Sequence, residues 1–129
     1  MNDEKKTQLP SSAALAYLGD AVHSLYVRRM AVSLGLSHSA DLHAVGQRYV
    51  TAAAQAVAFD RIYDKLTEEE IDVTRRARNS HHLQRPKHMS VSEYRKATGL
   101  EALLGMLFYT GRQERLDEIM SMILKGAEE

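Results

Sequence analysis

Apolar residues recur along this chain at spacings of three and four, and nowhere does a useful stretch alternate with period two. The run SSAALAYLGDAVHSLYVRRMAVSL predicts a first helix from about Ser11 to Leu34, with Leu15, Leu18, Val22, Leu25 and Val32 as its apolar stripe. Pro10 before it and Gly35 after it are the usual punctuation of a helix. A second helix begins near Ser39 and carries ADLHAVGQRYV, and Thr51 is placed to cap a third, AAAQAVAFDRIYDKL. TEEE, from Thr67 to Glu70, reads as a capping box that opens a helix through about Arg78, and SVSE, from Ser90 to Glu93, reads as another. The helix after SVSE stops at Gly111, and a last one follows in RQERLDEIMSMILKG. Met106, Met120, Met122 and Ile123 fall at core spacing in these two helices. Between the fourth and fifth helices, NSHHLQRPKHM has no periodicity, contains Pro86 and is expected to be a loop. The expectation is one all-α domain of about six or seven helices over residues 9–126, after a flexible N-terminus at 1–8.

Composition narrows the chemistry. The 129 residues include no cysteine, which removes disulfides and thiol-based metal or nucleophile chemistry and fits a reducing compartment. No apolar run reaches the ~20 residues needed to span a bilayer, and MNDEKKTQLP has no hydrophobic signal-peptide core. A cytoplasmic protein with no membrane partner is expected. Net charge is zero, yet Val73 to Ser92 holds five Arg/Lys and three His with no acidic residue, so a concentrated cationic segment is hidden in a balanced total.

Two residues disagree with the first helix. Gly19 costs about 0.5–1 kcal/mol relative to alanine in a helix interior, and Asp20 follows it amid Leu15, Leu18, Ala21 and Val22. The other strongly apolar helix repeats the combination: GLEALLG sets Glu101 and Gly105 at i, i+4 on one face. Glycines permit close helix approach, so a crossing at Gly19 and Gly105 would bring Asp20 and Glu101 together. Buried carboxylates repel each other and are penalised by burial, and a hard divalent cation, Mg²⁺ or Mn²⁺, relieves both costs. The competing reading is a capping or exposed Asp and a solvated Glu.

LAYLGDAV resembles the signature helix of the ribonuclease III family, and GLEALLG resembles its second acidic helix. HAVGQRYVTAAAQA and RRARN lie between them in the family's order. The wording YRKATGLEALLG and the short length are similar, more narrowly, to the Mini-III branch, a catalytic domain without a double-stranded-RNA-binding domain. The resemblance spans about Leu9 to Lys125. It implies a homodimeric, Mg²⁺-dependent all-α endonuclease that cuts double-stranded RNA and matures large-subunit (23S) ribosomal RNA precursors. That role places it among ribosomal proteins or on an assembling ribosomal subunit. The resemblance makes Asp20 and Glu101 the catalytic metal ligands. Full-length members carry Glu and Asp where this chain has Ala16 and Thr98, which leaves fewer protein ligands.

With an RNA substrate implied, Arg75, Arg76, Arg78, Asn79, Arg85 and Lys87 become candidate contacts to phosphates and 2′-hydroxyls, because A-form duplexes are bound by shape and backbone. His81, His82 and His88 lack metal-set spacing and are auxiliary contacts at most. His23 is a candidate partner for Asp20 or, on the plainer reading, a solvent-facing residue. Tyr17, Leu18 and Val22 are candidates for the dimer interface, with Tyr17 inserting into a partner or packing in its own core. Three functions stay open: the endonuclease, a non-catalytic RNA-binding module of the same fold, and a helical protein-interaction domain.

Overall fold

Residues 8–80 and 87–128 are described by a computed structural model, and the expectations on 1–7, Arg85, His81 and His82 lie outside them. The described residues form α1 (Ser12–Ser33), α2 (Ser39–Val50), α3 (Ala52–Ile62), a 3-10 turn at Tyr63–Lys65, α4 (Glu68–Arg78), α5 (Val91–Tyr109) and α6 (Gln113–Glu128). The starts of α1, α3, α4 and α5 are capped by short polar side chains. Ser11 Oγ accepts from the Ala14 N–H at 3.1 Å and Thr51 Oγ1 from the Ala54 N–H at 3.1 Å. At Thr67 and Glu70 both halves of the capping box form. Ser90 makes the forward half, accepting from the Glu93 N–H at 3.0 Å. Gly35 and Gly111, at φ +83° and +74°, end α1 and α5 in the left-handed conformation that glycine adopts freely.

The hub is α5. Leu100, Leu103, Leu104, Met106 and Leu107 are fully buried, and α1, α3 and α4 pack around them. From α6, Leu116, Ile119, Met120 and Ile123 close the core, with Met122 partly buried at its edge. Fully burying one such side chain stabilises the fold by about 1.5–3 kcal/mol. On the far side, Arg115 of α6 grips Glu70 of α4 with two bonds, Nε to Oε2 at 2.8 Å and Nη2 to Oε1 at 2.7 Å. Burial alone would raise the Glu70 carboxyl, but Arg115 and the Thr67 backbone N–H hold it below its ordinary value.

The expected stripe of α1 needs correction. Its buried face runs through Leu15, Ala16, Gly19, Val22, His23, Tyr26, Val27 and Ala31. Leu25 and Val32 are 66% and 61% exposed, and Leu18 is partly buried. Leu18, Leu25 and Val32 are spaced by seven, so they share one line beside the buried face, while the small residues are the ones that let α5 come close. Leu15 and Val22 of the expected stripe are buried and Leu18 partly so, and the error is confined to Leu25 and Val32.

Candidate active site

The backbones of α1 and α5 meet directly at Gly19 and Gly105. A Cβ placed on Gly19 would fall inside the Glu101 carbonyl, and one on Gly105 would fall inside the Leu15 carbonyl. No side chain separates the helices there, as the paired glycines predict. Asp20 is the neighbour of Gly19, and Glu101 lies one turn before Gly105, so the crossing delivers both carboxyls to one place, where they share a hydrogen bond. Asp20 is exposed and Glu101 partly buried.

That placement has an electrostatic consequence. Burial, then the charge of Asp20, then the hydrogen bond shared with it push the Glu101 carboxyl up to about 8, against a hydrogen bond from Gln55 that pulls it down. Two negative charges cannot settle here without a cation or a proton between them. Among the described residues, no group of three or more His, Cys, Asp or Glu is placed to hold a metal ion, so one chain offers this pair of oxygen donors. Ala16 and Thr98, which flank the pair in sequence, are both buried.

Two neighbours depart from, or escape, the sequence reading. His23 is 1% exposed, so the solvent-facing reading is corrected: position 23 shares the buried face of α1 with Gly19 and Tyr26, and polarity concealed that periodicity. Burial lowers its imidazole to about 4, despite the opposing charge of Asp20, and neither ring nitrogen has a hydrogen-bond partner. Gln55, which no motif singled out, is buried in α3 and reaches Glu101. Its spacing from Phe59 and Ile62 (i, i+4, i+7) was the available signal.

The candidate RNA contacts diverge in their surroundings. Arg75 and Arg76, in the last turn of α4, are exposed and both pair with Asp72, at 2.6 and 2.8 Å. Asp72 lies just outside the acid-free run but within i, i+3 and i, i+4 reach of it. Arg78 is half-buried, with its guanidinium over the Phe59 ring at 5.2 Å and its stem against Gly99. Asn79 caps α4 and is exposed, as are Lys87 and His88. Tyr17 is 86% exposed, which rules out its packing in its own core. Val22 is buried within the chain and, with Leu18, Leu25, Tyr26, Phe108 and Leu116, lines an apolar depression of about 280 Å³.

Residues 13–112 match the ribonuclease III domain. The chain is 45% identical to a mini-ribonuclease 3 of Thermoanaerobacter over 92% of this chain and 84% of that one. It is 40% identical to a mini-ribonuclease 3 of Enterococcus faecalis, over 87% and 86%. A crystal structure of a Fusobacterium nucleatum protein superposes with a TM-score of 0.80 at 30% identity, covering 90% of this chain and 93% of that one.

Proposed function

The chain belongs to the ribonuclease III domain family, metal-dependent endoribonucleases of double-stranded RNA, and from that premise we propose that it cuts duplex RNA with Mg²⁺, or Mn²⁺, held by Asp20 and Glu101. The observation that carries this reading is the glycine-on-glycine crossing that presses two carboxyls together. An all-oxygen pair without sulfur suits a hard dication. When bound, such a cation supplies Lewis-acid stabilisation of charge at a scissile phosphate. The part of the chain itself is to hold the carboxyls of Asp20 and Glu101 at one point on a largely apolar helix pair. With two protein carboxylates, the remaining coordination positions belong to water and substrate oxygens.

Long duplex RNA incubated with and without Mg²⁺ tests the reading on a gel. Cleavage only with the cation is the expected result. A mobility shift without cutting would support the non-catalytic module, and neither effect would support a helical interaction domain. On the resemblance to the mini-ribonucleases, we extend the proposal to maturation of 23S precursor ends, in the cytoplasm beside the assembling ribosomal subunit. No helix among the described residues is long and apolar enough to cross a membrane.

Substrate affinity is assigned to the end of α4 and the segment after it. The exposed Arg75, Arg76 and Lys87 are the principal phosphate contacts, with Asn79 toward 2′-hydroxyls and Arg85 continuing the cationic run. Arg78 gives its guanidinium face to Phe59 and has less to offer the duplex. Replacing Arg75 and Arg76 with alanine is expected to weaken binding and to flatten the salt dependence by about 0.9 per lost contact in log–log slope, on the B-DNA calibration. Asp72→Asn, which frees both arginines from an anion, should tighten binding at the same salt. An unchanged slope in the double alanine variant would remove these arginines from the interface.

A homodimer completes the proposal. One chain brings one carboxylate pair, whereas two strands of a duplex require two. Tyr17, standing out of α1 beside the depression formed by Leu18, Val22 and Phe108, gives the projection and the socket that an isologous interface repeats. Light scattering on an active preparation should give twice the 14.5 kDa chain mass. A monomer at micromolar concentration would end this part of the proposal.

A further inference from the structure

Between α1 and α2 lies a cleft of about 360 Å³. Ser24 and Arg28, one and two turns beyond the exposed Asp20 at i+4 and i+8, form part of its α1 wall. Arg28 therefore stands about 12 Å along the helix axis from Asp20. Across the cleft α2 presents Ser39, His43 and Gln47. All three are exposed, as is Arg28, and Ser24 is half-buried. The lining thus holds five hydrogen-bonding side chains and no acid. Arg28 forms no ion pair among the described residues, whereas Arg75, Arg76, Arg112 and Arg115 each hold a carboxylate. On α2, Gly46 is the residue that needs a reason. Glycine is unfavourable in a helix interior, and Gly19 and Gly105 are required because two backbones meet at them. A Cβ on Gly46 would meet nothing within 4 Å, and the residue lines the cleft. Its missing side chain keeps open a space that no other described residue enters.

We propose that this cleft seats the backbone of the RNA strand beyond the phosphate at the carboxylate pair, with Arg28 on a phosphate and Gly46 leaving room for the strand. The proposal rests on the reading of the chain as a nuclease of duplex RNA. Charge favours this occupant: a fixed cation with no acid beside it in the lining suits a polyanion. The donors suit it as well, since Gln47, His43 and the two serines can each meet a phosphate or 2′-hydroxyl oxygen, the groups by which A-form helices are bound. Position completes the case. The α1 wall of the cleft continues the helix that carries Asp20, so a strand leaving the carboxylate pair along α1 reaches Arg28 next. These contacts belong to other helices than the cationic run of α4 and extend the substrate surface to the opposite end of α1 from Tyr17.

Two variants test the seat in different ways. Gly46→Leu fills the cleft and leaves every charge in place, and Arg28→Gln removes the charge and leaves the cleft open. Each is expected to raise the KM for long duplex RNA, and the Kd measured without divalent cation, by about tenfold, the scale of one lost charge-assisted hydrogen bond. Arg28→Gln should also flatten the log–log salt slope by about 0.9 on the B-DNA calibration. Mn²⁺ affinity without RNA should stay at the wild-type value in both, which separates the cleft from the carboxylate pair. Gly46→Leu is the sharper test, because a leucine in open space gives the fold no reason to weaken binding. Helical circular dichroism and melting report whether it folds, and if it does not, Arg28→Gln decides. KM and Kd within about twofold of wild type in both folded variants would leave the cleft a solvent-filled groove. A loss in Arg28→Gln beside wild-type binding in folded Gly46→Leu would put the phosphate outside the cleft and overturn the seat. Dissociation of a dimer by either variant in light scattering would make the cleft a contact between copies and overturn it too. Wild type that neither shifts nor cuts duplex RNA would overturn the RNA reading itself, an outcome distinct from equal binding by wild type and variants.

Discussion

Glu101→Gln is expected to abolish cleavage, to leave duplex binding intact, and to make the metal-free protein more stable, by a margin that grows with pH. The first two effects separate because the proposal assigns phosphate affinity to the cationic run that begins in the last turn of α4, away in sequence from the carboxylate pair. The third follows from proton linkage. The Glu101 carboxyl stands at about 8 in the folded protein and near its ordinary 4.5 in the unfolded chain. Below the unfolded value both states hold the proton and the residue costs nothing. Between 4.5 and about 8 the unfolded state releases its proton while the folded state keeps it, so stability falls as pH rises. Above about 8 the cost is complete. At roughly 1.4 kcal/mol per pKa unit it amounts to a few kcal/mol. Glutamine has the same shape, can accept from Gln55, and never ionises, so the variant escapes the whole cost.

Melting curves without divalent ions should therefore nearly coincide for wild type and Glu101→Gln at pH 5 and separate by on the order of 10 °C at pH 9. Mg²⁺ should reverse the order. A ligand that binds only the folded state raises its stability, and wild type should gain more at pH 8.5 than at pH 6, because at pH 6 the cation must displace a proton. Asp20→Asn removes the neighbouring charge and should likewise lose cleavage and the Mg²⁺ response. Substantial activity in Glu101→Gln, or parallel melting profiles across pH, would show that this carboxylate is neither a ligand nor electrostatically strained.

How much of this was legible in the sequence depended on the kind of signal. The crossing of α1 and α5 could be read because its cause is compositional: glycines in helix interiors are rare enough to need a reason, and each came with a carboxylate within one turn. The caps Thr51, Thr67 and Ser90 could be read because each acts on backbone three residues away. What failed was the assumption that apolar means inside. Leu25 and Val32 face outward while His23 and Gln55 are buried, and for the latter two helical spacing from buried neighbours gave the side that polarity concealed. The partners of Arg78 were out of reach for another reason. Phe59 and Tyr63 precede it by 19 and 15 residues, and only the packing of α3 and α4 on their common partner α5 brings the rings under its guanidinium. Asp72 was within reach, one residue outside the segment whose lack of acids drew attention to it.

Gly105→Ala should be severely damaging for so small a substitution. In an unobstructed helix the change stabilises by about 0.4–1 kcal/mol, because alanine gives up less backbone entropy on folding. Gly46 in α2 supplies that baseline: a Cβ there meets nothing within 4 Å, so Gly46→Ala should hold or raise the melting temperature. At Gly105 the same methyl would lie inside the backbone carbonyl of Leu15, and a helix backbone cannot step aside as a flexible side chain does. The helices must separate along a contact that also buries Leu15, Val22 and the centre of α5. Overpacking typically costs about 1–3 kcal/mol, and a backbone-on-backbone clash belongs at or above the upper end. Gly19→Ala should behave alike, since its Cβ would enter the Glu101 carbonyl from the opposite side. Any fraction that still folds should bind Mn²⁺ more weakly than wild type, because separating the helices separates Asp20 from Glu101. Equal thermal shifts in Gly105→Ala and Gly46→Ala would mean that the helices do not touch there, and the carboxylate pair would lose the physical reason for its proximity.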